Sequence, residues 1–181
     1  WIELAPGDSL VGGRLGDDGP GEGQGVAGTA ADLSGRLVLA WDDQWLYLAA
    51  RVRDNVHDVD SGDRDQWFCR DGVALFLDVP RDGDGPIWFV GDHAFVFTAD
   101  PALPPAARWW RHGDQRGRQE GLAPPQTQLA LRLEETGYTL EAAIPMAVLS
   151  LFTPAFRTPF VGRTLGFMLL VTDPDGGPRP F

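Results

Sequence analysis

Along Trp45–Arg53 every second position is aliphatic, and the positions between are mixed. Leu46, Leu48, Ala50 and Val52 share one face, while Trp45, Tyr47, Ala49, Arg51 and Arg53 share the other. A period of two is that of a β-strand with one buried side. Trp1–Leu4, Arg36–Ala40, Val73–Asp78, Ile87–Val90 and Ala94–Phe97 are further short apolar runs, most of them bounded by Gly, Pro or Asp, and each predicts a strand. Leu129, Leu131 and Leu133 alternate with polar residues, Glu134–Gly137 carries turn chemistry, and Tyr138–Ile144 predicts the return strand of a hairpin. Residues 145 to 149 predict one helical turn with proline at its start. Thr164–Thr172 is almost continuously apolar, which predicts a central strand buried on both faces.

No stretch has the periodicity of a long amphipathic helix. Many short strands separated by turn signals indicate an all-β fold, an antiparallel β-sandwich or jelly-roll with short helical turns. Residues 1–35 form an entry segment whose Gly-rich tract, Gly12 to Gly28, reads as a surface loop. It lacks the strand before and the helix after that a phosphate-cradling loop requires. Residues 101–128 are proline-rich and hold Trp109, Trp110 and Arg111. With no periodicity of their own, they predict an excursion over the surface.

Composition narrows the class. The 181 residues suit one domain, expected to be incomplete at one or both ends because the chain starts at Trp1 rather than Met. The net charge is −11, and every basic residue is arginine. An acidic chain with no basic cluster argues against nucleic acid and against anionic membrane surfaces as partners. The single Cys69 cannot close an internal disulfide. The longest apolar run, Phe167–Val171, is too short to span a bilayer, which leaves open an anchor outside these residues. A bacterial periplasm or cell exterior is the compartment expected.

The loop after Val52-Arg53 carries Asp54, Asp58, Asp60, Asp63 and Asp65. Calcium takes several hard oxygen ligands, so this loop is the candidate metal site, with plain solvated charge as the competing reading. Trp67 is a candidate for ring stacking on a ligand, or else a packed rim aromatic. Trp109 and Trp110 beside Arg111 have the composition of an interface hot spot, against the alternative that they cover the core. His57, His93 and His112 show no zinc spacing. Met146 and Met168 raise haem as a remote electron-transfer alternative, disfavoured because no Cys-x-x-Cys-His is present. No nucleophile motif occurs, and chance pairs among 26 carboxylates identify no glycosidase dyad, so an enzyme is not expected.

Taken in order, several of these segments resemble carbohydrate-binding module family 9. They are Trp41-Asp42-Asp43 with Leu46-Tyr47-Leu48, Val52-Arg53-Asp54, Trp67 before Asp71-Gly72-Val73, Phe76-Leu77-Asp78, Gly137 to Pro145, and Leu165-Gly166-Phe167 with Val171-Thr172-Asp173. The resemblance implies a β-sandwich that binds sugar without catalysis, appended to a glycan-degrading enzyme. It also implies structural calcium and a terminal sugar clamped between two Trp rings, with Trp67 similar to the first of them and Asp71 close by. The apolar C–H face of a sugar ring stacks on indole, and its hydroxyls need polar partners at the flanks.

Three departures shift the expectation. Ala74 stands where the family places an acidic partner, Val96 where it places a basic one, and the chain stops at Phe181 before a second clamp Trp. Each lost hydroxyl partner costs a polar ligand roughly 1–3 kcal/mol. An apolar surface at Ala74 and Val96 would suit a protein partner. The leading expectation is therefore a non-catalytic, extracytoplasmic module docking on protein partners within a larger assembly. The alternative is a carbohydrate-binding module that stacks a saccharide on Trp67.

Overall fold

The computed structural model describes residues 2–4, 9–10, 13–14, 33–56, 70–79, 91–99, 107–113, 117–122, 126–151 and 164–173. The strands are β1 (Ile2–Leu4), β2 (Ser9–Leu10), β3 (Gly13–Arg14), β4 (Leu33–Trp41), β5 (Trp45–Asp54), β6 (Gly72–Asp78), β7 (His93–Thr98), β8 (Ala107–Gly113), β9 (Gly117–Leu122), β10 (Gln128–Glu134), β11 (Gly137–Pro145) and β12 (Gly166–Thr172). One short helix, α1 (Met146–Leu149), follows β11. The first sheet has the order β1-β4-β5-β11-β10 and the second β12-β6-β7-β8-β9, with β2-β3 as a small separate pair. Every pairing among the described residues is antiparallel.

The alternation read in β5 decides which side of the first sheet faces inward. Leu37 of β4, Ala50 of β5, Leu140 of β11 and Leu131 of β10 stand in one register row. Leu39, Leu48, Ala142 and Leu129 form the next row. In the second sheet Leu75 stands between Phe95 and Leu169, and Val73 between Phe97 and Val171. These two inward faces make a single apolar core, in which Phe95, Phe97, Leu75 and Leu140 are fully buried. The observed architecture is the β-sandwich expected from the alternation.

The β10–β11 hairpin closes at Gly137, whose φ of 124° lies where side chains are strained. A Cβ there would collide with the carbonyl oxygen of Val52, so the turn requires glycine for space as well as torsion. Pro145 keeps an extended backbone (φ −61°, ψ 130°) as the N-cap of α1, and the amide of Met146 donates to the Gln44 carbonyl at 2.8 Å.

Three expectations change. Residues 107–113 and 117–122 are paired strands rather than a structureless excursion. The register of the first on β7, and of the second on the first, supplies what their own pattern lacks. The apolar run at 166–172 is an edge strand, with Phe167 and Met168 exposed. The surface at Ala74 and Val96 is not open: the two pair across β6 and β7 and are 1% and 2% exposed. With Ala94 they form a second apolar cluster on the side of the sheet away from the main core, and Phe76 and Leu170 pack against it. Small side chains set among larger neighbours are shielded from water, so apolar composition did not translate into an exposed patch. The strand expected at 87–90 lies outside the described residues.

Candidate metal and ligand site

Antiparallel pairing brings four strand ends to one end of the sandwich. Asp54 is the last residue of β5, Asp71 immediately precedes β6, Asp173 immediately follows β12, and Tyr138 is the second residue of β11. β5 and β6, which flank the acidic segment in sequence, lie in different sheets. The two ends of that segment, Asp54 and Asp71, meet again here.

Local hydrogen bonds fix these ends. The Asp54 carboxylate accepts from the Val56 amide at 2.8 Å, closing an Asx turn, and the Asp54 amide donates to the Thr136 carbonyl at 3.3 Å. The Asp71 carbonyl accepts from the Ala99 amide at 2.8 Å, which ties the exit of β7 to the entry of β6. The Thr172 hydroxyl donates to the Arg70 carbonyl at 2.6 Å, tying β12 to the same turn.

The outcome is a triad of carboxylates from positions far apart in sequence. One oxygen from each of Asp54, Asp71 and Asp173 lies within 4.8 Å of the others. Asp54 and Asp71 are buried and Asp173 is partly so. Tyr138 is fully buried beside them. Burial pushes its phenol well above the ordinary range, and the negative charges of Asp71, Asp54 and Asp173 push it further.

A Ca²⁺ ion binds oxygens at roughly 2.3–2.6 Å, so oxygens on its opposite sides stand about 5 Å apart. The spacing of this triad fits one such ion, and three hard carboxylate oxygens are the donor set it prefers.

Of the residues expected in a metal site, Asp54 belongs to this triad; Asp58, Asp60, Asp63 and Asp65 lie outside the described residues. Of the residues expected at a ligand, Asp71 is buried in the triad, and Trp67, four positions before it, lies outside the described residues. Trp109, Trp110 and Arg111 stand on β8 in register with Phe95, Ala94 and His93. The two methionines raised for haem are far apart in environment: Met146 is in the main core and Met168 is exposed on the edge strand. His93 is fully buried, its ring stacked 6.1 Å from that of Phe95.

Sequence reasoning missed Asp173 and Tyr138 as members of this cluster. A signal was present, since each aspartate directly flanks a predicted strand: Val52-Arg53-Asp54, Asp71-Gly72-Val73 and Val171-Thr172-Asp173. Only the sheet order shows that those three ends coincide.

Among solved structures, the chain is similar to a carbohydrate-binding module family 9 from Caldicellulosiruptor kristjanssonii in complex with cellotriose. That likeness has 21% identity and a TM-score of 0.55, over 81% of this chain and 62% of that one. The corresponding module in complex with glucose is similar at 21% identity and a TM-score of 0.48, over 77% of this chain and 59% of that one. The chain thus spans less than two thirds of either structure's length. No curated protein matches it. Among the described residues, no helix is long and apolar enough to cross a membrane. The family model described as carbohydrate family 9 binding domain-like matches residues 22–180, and the chain belongs to that family.

Proposed function

We propose that this chain is a non-catalytic saccharide-binding module, carried outside the cytoplasm on a larger glycan-active protein. The observation that carries the reading is the family match over residues 22–180. Trp67 is the residue proposed to stack on the sugar ring, with neutral glucans of the cellotriose type as first candidates, since cellotriose is the ligand of the similar structure. A Ca²⁺ held by Asp54, Asp71 and Asp173 would tie together the exit of β5, the entry of β6 and the exit of β12. Hard-cation charge supplied there would offset the mutual repulsion of three carboxylates.

Docking on a protein partner rested on an open apolar face at Ala74 and Val96. That face is sealed, so the saccharide reading takes precedence. Trp fluorescence titrated with a panel of mono- and oligosaccharides tests it. Saturable quenching by at least one neutral sugar is expected, and no response across the panel would end the proposal.

A further inference from the structure

The end of the sandwich opposite the carboxylate triad carries an exposed aromatic residue. Leu33 of β4 pairs with Asp54 at the acidic end, and β4 then runs eight residues to Trp41, about 27 Å away. Trp41 is 46% exposed, although it stands in an inward-facing register row opposite Leu46. A large indole left half in water at the rim of a core is available for stacking on a ligand.

The turn that presents this ring is braced from several directions. The Asp42 Oδ1 accepts from the amides of Gln44 and Trp45, both at 2.8 Å, and the Asp42 amide donates to the Trp45 carbonyl at 3.0 Å. The Tyr47 hydroxyl donates to Asp42 Oδ2 at 2.7 Å. These bonds hold the Asp42 carboxyl below its usual range, the Gln44 amide first, then Tyr47. The Gln44 carbonyl is fixed in turn by the Met146 amide of α1. Asp43 and Gln44, the next two residues of the same turn after Asp42, are exposed and offer polar groups.

We propose that Trp41, flanked by Asp43 and Gln44, is a second saccharide-binding site, separate from Trp67. Its occupant is a neutral glycan segment that lays the C–H face of one ring on the indole and gives hydroxyl hydrogen bonds to Asp43 and Gln44. The choice of a saccharide rests on the function proposed above. A rigid turn needs little ordering when the ligand arrives, so an exposed ring held in this way can bind with few contacts. Two sites on one rigid sandwich would also retain a long glycan more strongly than a short one.

The test follows the Trp indole N–H resonances of calcium-loaded protein titrated with cellohexaose, with the Trp41 signal assigned from Trp41→Ala and the Trp67 signal from Trp67→Ala. A saturable shift of the Trp41 signal that persists in Trp67→Ala is expected. Asp43→Ala, which keeps the ring, should weaken that shift several-fold. A Trp41 signal unmoved while Trp67 responds overturns the second site and leaves the first standing. A Trp41 signal that moves while Trp67 does not supports the second site and removes the first. No indole responding overturns both.

Discussion

Ala74 and Val96 stand directly opposite each other on β6 and β7, and neither reaches solvent. Positions that composition alone marks as an apolar docking surface are in fact the floor of a closed cluster with Ala94, Phe76 and Leu170. Enlarging Ala74 to Leu should therefore overpack this cluster and cost about 1–3 kcal/mol. Urea melts of Ala74→Leu read the effect. A change within about 0.5 kcal/mol, as surface substitutions give, would mean that the face is open after all.

Calcium held by the proposed carboxylate triad would make stability depend on that ion. Protein stripped with chelator and then given Ca²⁺ at a hundred times its Kd should gain about 2.7 kcal/mol. For a chain of this size that is roughly 5–10 °C in Tm. Asp71→Asn and Asp54→Asn should each abolish most of the increment. A melt indifferent to calcium, or an equal increment in both variants, would remove the metal from the account.

Tyr138 gives the fold an alkaline limit. Its phenol is neutral in the folded protein and ionises only well above its ordinary range, whereas the unfolded chain releases that proton near pH ~10. Below pH ~10 both states hold the proton, and the contribution is fully present. Above it the unfolded state binds fewer protons, so stability falls by about 1.4 kcal/mol per pH unit until the folded group also titrates. Tm measured from pH 8 to 11 should show this slope, and Tyr138→Phe should flatten it. An unchanged slope in Tyr138→Phe would mean that other groups set the limit.

The hairpin turn at Gly137 admits no side chain. Gly137→Ala combines a positive φ with a collision against the Val52 carbonyl and should cost at least about 1–3 kcal/mol. Thermal denaturation checks it, and wild-type Tm in this variant would contradict the described turn.

Much of this fold was legible because a few strands declare themselves. Leu46, Leu48, Ala50 and Val52 on β5, and Tyr138, Leu140, Ala142 and Ile144 on β11, alternate cleanly because their opposite faces stay outside the core. β8 and β9 were missed because adjacent Trp109-Trp110 and the polar Gly117–Leu122 carry no period; pairing of β8 with β7 and of β9 with β8 defines them. The apolar run in β12 suggested a central strand, yet an edge strand can carry the same residues with Phe167 and Met168 in water. The carboxylate triad was half legible. Asp54 lay in the acidic loop, but Asp71 and Asp173 join it only through sheet order, which no local spacing encodes.

The proposed saccharide binding is tested most directly by isothermal titration of the calcium-loaded protein with cellotriose and with glucose, repeated on Trp67→Ala. Saturable binding of at least one of them is expected, weakened roughly tenfold or more in the variant while its Tm is unchanged. No measurable heat with either sugar, or the same affinity in Trp67→Ala, would contradict a sugar stacked on that indole.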